Sequence, residues 1–95
     1  MIYQITYQFE RKLVDQDAWI KFYDLMKDIG DDWFHVLEHA CWVYFKDDSI
    51  TPEYIHNKIM EIIDYKDILF IISPLSSETY GWLATNAWKW REKYL

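Results

Sequence analysis

The sequence predicts an α+β fold: a ferredoxin-like βαββαβ sandwich, with a four-stranded antiparallel sheet, two helices on one face and an added C-terminal helix. Three observations lead there. Residues 2–9 alternate like a half-buried strand, two later stretches carry apolar residues at helical spacing, and a short apolar run, Ile68 to Ile72, follows the second of them. With two more strands expected between the helices, the order strand, helix, strand, strand, helix, strand is the split-βαβ arrangement. At 95 residues there is room for one domain, its core spanning 1–74 and the last helix 77–95.

In the first strand Tyr3, Ile5, Tyr7 and Phe9 face one side, and Gln4, Thr6 and Gln8 the other. The first helix carries Trp19, Phe22, Tyr23, Met26 and Ile29 on one stripe, with Asp15 or Asp17 as its cap and Gly30 at its end. The segment 31–46 reads two ways. Trp33, Val36, Leu37, Ala40 and Tyr44 would make a helical stripe, yet the density of β-branched and aromatic residues suits two strands joined near Glu38 better. Thr51 before Pro52 is a strong helix start, because the hydroxyl caps and the missing proline N–H is not needed there. Ile55, Ile59, Ile62 and Ile63 form that helix's buried stripe. The run Ile68 to Ile72 reads as a strand buried on both faces. Leu83, Ala87, Trp90 and Tyr94 of the last helix offer a cover for the second face.

Composition narrows the function classes. The chain is 52% apolar and 20% aromatic, with six Trp and eight Tyr, so disorder is excluded and some rings are expected on a face that a partner covers. Homodimerisation is the simplest way to cover them, and a further protein partner is expected. A net charge of −6 disfavours a phosphate backbone unless basic residues cluster. The densest basic stretch, Lys89, Arg91 and Lys93, is interleaved with Trp88 and Trp90; it could stack on single-stranded nucleic acid or simply be a packed helix with a solvated face. Cys41 is the lone cysteine and reads as a core residue, fitting a reducing compartment. No basic-then-apolar leader opens the sequence and no apolar run approaches the ~20 residues of a membrane span, so a cytoplasmic location is expected.

Of the chemical motifs, His35-Val36-Leu37-Glu38-His39 matches H-x-x-E-H, a zinc-binding pattern that works on a helix. On a strand the two histidines stand about 13 Å apart and share no metal. Two glycines provide no phosphate-cradling loop, and the pairs Asp31-Asp32 and Asp47-Asp48 read as turns and caps. No cofactor and no metal is expected, and no catalytic residue stands out.

Several segments resemble the small Cas2-like group that includes SinR-like proteins, VapD ribonucleases and the CRISPR spacer-acquisition adaptor. The strand Tyr3-Gln4-Ile5-Thr6-Tyr7-Gln8-Phe9 is similar to that group's opening strand. Asp32-Trp33-Phe34-His35, leading through Glu38 to Trp42-Val43, resembles the SinR-like pattern, and Asp48-Ser49 to Asp67-Ile68-Leu69-Phe70-Ile71 resembles the second helix and final strand. The resemblance implies a homodimer joined through sheet faces or edges. It also implies, for active members, an aspartate ending the first strand that binds a divalent metal for phosphodiester cleavage. Here that position is Gln8, a neutral and weaker ligand for a hard cation.

The expectation is therefore a non-catalytic homodimeric interaction module, acting as an acidic inhibitor, antitoxin or phage counter-defence protein on a nucleic-acid enzyme. The alternatives are a metal-dependent nuclease using another carboxylate, and a single-stranded nucleic-acid-binding protein. The candidate surfaces are the open sheet face at Gln4, Thr6, Gln8, Trp42 and Tyr44, and the C-terminal contact at Trp88, Lys89 and Arg91.

Overall fold

The alternation from Ile2 to Phe9 becomes strand β1 (Ile2–Phe9), and the rest of the order follows the sequence pattern: α1 (Gln16–Ile29), β2 (Asp32–Leu37), β3 (Ala40–Tyr44), α2 (Pro52–Ile62), β4 (Ile68–Leu75) and α3 (Thr85–Glu92). The computed structural model describes residues 1–10 and 16–95. Asp15, expected as a cap, lies outside the described residues, and Asp17, the other candidate, stands within α1 as its second residue. The sheet order is β2-β3-β1-β4 with every neighbouring pair antiparallel, which is the ferredoxin-like topology.

Segment 31–46 is a hairpin. Leu37 pairs with Ala40 around a turn at Glu38-His39, and a bulge between His35 and Leu37 absorbs the irregular register, so no Asn-Gly chemistry is required. Helix α2 starts as expected, with the Thr51 hydroxyl accepting from Tyr54 N–H at 3.1 Å and Pro52 at the first helical position. Gly30 ends α1 for want of space: a Cβ there would stand 2.4 Å from Val43 Cγ1, and no described residue has positive φ.

Helices α1 and α2 cover the odd face of β1. Tyr3, Ile5 and Tyr7 pack with Phe22, Met26, Cys41, Val43, Ile55, Ile59 and Ile63, all buried. Trp19 and Ile62, expected in the buried stripes, sit at their margins and are 48% and 38% exposed. Cys41 is a core residue, its thiol pushed up to about 12 by burial.

Expectations for the last helix and for the last strand need correction. The last helix runs only over Thr85–Glu92; before it Ser76 and Thr79 take up local backbone N–H groups, with Ser76 N–H donating to Thr79 Oγ1 and Glu78 N–H to Ser76 Oγ. Such hydrogen bonds offer the chain a turn in place of a helix. Strand β4 extends through Pro74 to Leu75, because it is an edge strand and an edge tolerates a missing N–H. It is also not buried on both faces. Leu69 and Ile71 are 57% and 70% exposed, since α3 docks at the other end of the sheet.

Candidate interaction surface

On the face away from α1 and α2, the strand register sorts side chains into rows that cross the sheet. The first row is Asp32, Tyr44, Ile2 and Leu75, and the second is Phe34, Trp42, Gln4 and Ser73. The third is Leu37, Ala40, Thr6 and Ile71, followed by Gln8 beside Leu69. Helix α3 lies over the first two rows, where Ile2, Trp42, Leu75, Ala87 and Trp90 form a second buried cluster.

Trp42 and Trp90 are buried in that cluster, and Phe34, Tyr44, Trp88 and Tyr94 pack against it. Trp90 packs 5.9 Å from Phe34 and 6.2 Å from Trp42 between ring centres, Trp88 lies 6.1 Å from Trp42, and Tyr94 stacks on Tyr44 at 3.8 Å. Trp42 Nε1 donates to Gln4 Oε1 at 2.9 Å. Trp42 and Tyr44 therefore do not belong to an open face: the chain's own helix covers them, and Gln4 serves as the hydrogen-bond partner that lets an indole be buried. Thr6 and Gln8 remain exposed, as expected.

One carboxylate pins the helix. Asp32 Oδ1 accepts from Trp33 N–H at 2.8 Å, while Oδ2 accepts from Trp90 Nε1 at 3.1 Å and from the Tyr94 hydroxyl, with Lys93 Nζ 3.6 Å away. Burial pushes the Asp32 carboxyl up. The hydrogen bonds from Tyr94, Trp33 N–H and Trp90, together with the Lys93 charge, outweigh it and hold the group below its ordinary value. The reading of Asp31-Asp32 as a plain turn missed this, because its partners lie some 60 residues along the chain; the Tyr94 contact alone spans 62.

The C-terminal residues are likewise spoken for. Arg91 Nη2 donates to the Ser76 carbonyl at 2.9 Å and its guanidinium lies 5.4 Å from the Trp88 ring, while Lys93 sits at Asp32. Lys89 alone of the expected trio Trp88, Lys89 and Arg91 is exposed. Of the basic-aromatic stretch read from the sequence, Trp90 is buried, Trp88 and Arg91 are half-buried, and Lys89 and Lys93 are exposed.

The H-x-x-E-H residues fall on the hairpin. His35 Nε2 lies 3.3 Å from the Tyr7 hydroxyl, 3.2 Å from that of Tyr23 and 3.2 Å from the Glu38 carbonyl, and the two phenols hydrogen-bond each other. Burial, then the hydrogen bond and charge of Tyr23, push the Tyr7 phenol far up, so it stays protonated as a structural donor. His39 sits in the turn, 3.8 Å from the Glu38 carboxylate. Among the described residues no group of three or more His, Cys, Asp or Glu is placed to hold a metal ion.

What remains open is the lower half of the sheet face. Leu37, Thr6 and Ile71 are exposed along the third row, and Thr6, Gln8, His39, Leu69 and Ile71 line a shallow, mostly apolar basin. Nearby, Trp82 borders a groove with Val36, Leu37 and Trp88. Trp82 and Tyr80 are 99% and 98% exposed. The sequence reading put Trp82 on a helix and passed over Tyr80; the glycine between them was the available sign of an irregular segment.

No protein-family model matches the sequence, and no curated protein matches it. Solved structures do share its shape. The hypothetical protein TT1823 from Thermus thermophilus superposes with a TM-score of 0.59 at 19% identity, covering 87% of this chain and 93% of that one. Streptococcus pyogenes Cas2, in a crystal structure at pH 6.5, superposes with a TM-score of 0.56 at 20% identity, covering 82% and 89%. At these identities the likeness is one of fold, and the fold is that of Cas2: a four-stranded antiparallel sheet with helices packed on it.

Proposed function

We propose that the chain is a homodimeric interaction module of Cas2-like type, working through protein contacts instead of phosphodiester cleavage. The observation that carries this reading is the uncovered half of the sheet face, where Leu69 and Ile71 stand 57% and 70% exposed beside Thr6 and Gln8. Aliphatic side chains exposed together on an edge strand offer a surface that a second chain can cover. Gln8 supports the non-catalytic half of the reading. The Cas2-like resemblance implies a metal-binding aspartate at the end of the first strand, and the amide here brings no charge to balance a divalent cation. With a net charge of −6, a basic surface on a nucleic-acid enzyme is the kind of partner the dimer suits, as an inhibitor, antitoxin or counter-defence protein does.

Two measurements test the reading. Ile71→Asp places a charge in the contact and is expected to shift the chain to monomer in sedimentation, with the circular dichroism of the fold retained. Incubated with labelled RNA and DNA in Mg²⁺ or Mn²⁺, the protein is expected to leave both intact; cleavage lost on Gln8→Ala would overturn the non-catalytic assignment.

A further inference from the structure

The aromatic arm at 76–84, between β4 and α3, ends its course beside the open row: Trp82 borders the same groove as Leu37, the β2 end of that row. Among the described residues nothing covers Tyr80 or Trp82. We infer that the interface between two copies is completed by this arm, with Tyr80 and Trp82 of each copy covered by the other. The inference rests on the homodimer reading above and names the part of the chain on which that dimer depends.

Area decides the matter. A stable interface takes about 800 Å² from each partner, of which about 55–65% is apolar, so each copy must contribute about 450–500 Å² of apolar surface. A Leu or Ile side chain removes about 60–120 Å² from water on burial. Leu37, Leu69 and Ile71, exposed by 55%, 57% and 70%, therefore offer together only about 110–220 Å². The sheet patch alone is too small by half. Tyr80 and Trp82, almost wholly exposed, add about 150–250 Å² each, which brings the apolar total to about 400–700 Å² per copy. With the arm the area of a standard interface is reached; without it the contact falls in the range of weak encounters. A twofold contact presents the same patch from both sides, so each arm is donor and each sheet receiver.

The test is sedimentation of the unmodified chain and its Tyr80→Ser/Trp82→Ser double variant across a concentration series. Both side chains lie outside the folded body of their own copy, so the variant is expected to fold and melt as a monomer like the unmodified chain. Its dimer dissociation constant is expected to rise by on the order of 100-fold, the effect of losing two aromatic anchors. Hydroxyl-radical footprinting of the unmodified chain supplies a readout that needs no variant: oxidation of Trp82 is expected to fall as concentration passes through the dissociation constant. A wild-type dimer whose double variant associates equally well, or whose Trp82 stays equally reactive at all concentrations, overturns the role of the arm and leaves the dimer standing. A wild-type chain that stays monomeric removes the homodimer reading, and the arm's role with it.

Discussion

Gly30 and Val43 touch so closely that the end of α1 fits against β3 only because position 30 has no side chain. Gly30→Ala would press a methyl group onto Val43, which is fully buried and has nowhere to retreat, so a loss of about 1–3 kcal/mol in thermal or urea unfolding is expected. The sequence pointed to Gly30 as a helix terminator, but its spacing against a strand 13 residues away could not be read from local pattern. Trp90 teaches the same lesson from the other side. Its ring spacing suggested a buried position, and it is 7% exposed; Trp90→Ala is expected to cost about 3–5 kcal/mol in equilibrium unfolding. Asp32, by contrast, looked like a turn residue and serves as the anchor of α3, because a carboxylate's partners are set by the tertiary fold and leave no periodic trace.

At the scale of elements, those with local signatures were legible: the alternation of β1, the Thr51-Pro52 start of α2 and the apolar stripe around Ile55 and Ile59 all match the structure. The hairpin at 31–46 emerged from residue type despite an uninformative turn. Helix α3 and β4 were read only in outline, since the length of one and the exposure of the other depend on where α3 docks. That docking has a pH signature. The folded-state value of Asp32 lies below its unfolded one, so its contribution is complete above the unfolded value of ~3.9 and drains away as pH falls through the folded value. The Tyr94 phenol, held by Asp32, is pushed up to about 12; its contribution is complete below the ordinary ~10 and is lost as pH rises through about 12. Tryptophan fluorescence from the Trp42, Trp88 and Trp90 cluster is therefore expected to hold steady across the neutral range and to change at both extremes. In Asp32→Asn the acid step is expected to shrink; an acid step of unchanged size would show that Asp32 does not control the docking of α3.

For the whole molecule, the division of one sheet face into a half covered by α3 and a half left open is the central result. The sequence called for a cover over the second face of β4 and named α3 to supply it. Helix α3 covers Leu75 at one end of β4 together with Trp42 and Tyr44, two residues expected to bind a partner, and leaves Leu69 and Ile71 exposed. The most direct measurement is the solution mass of the unmodified chain by sedimentation equilibrium from about 1 to 50 μM, a span that brackets μM interfaces. The account predicts a reversible shift toward twice the 11.8 kDa chain mass within that range, and a mass fixed at one chain throughout would contradict it.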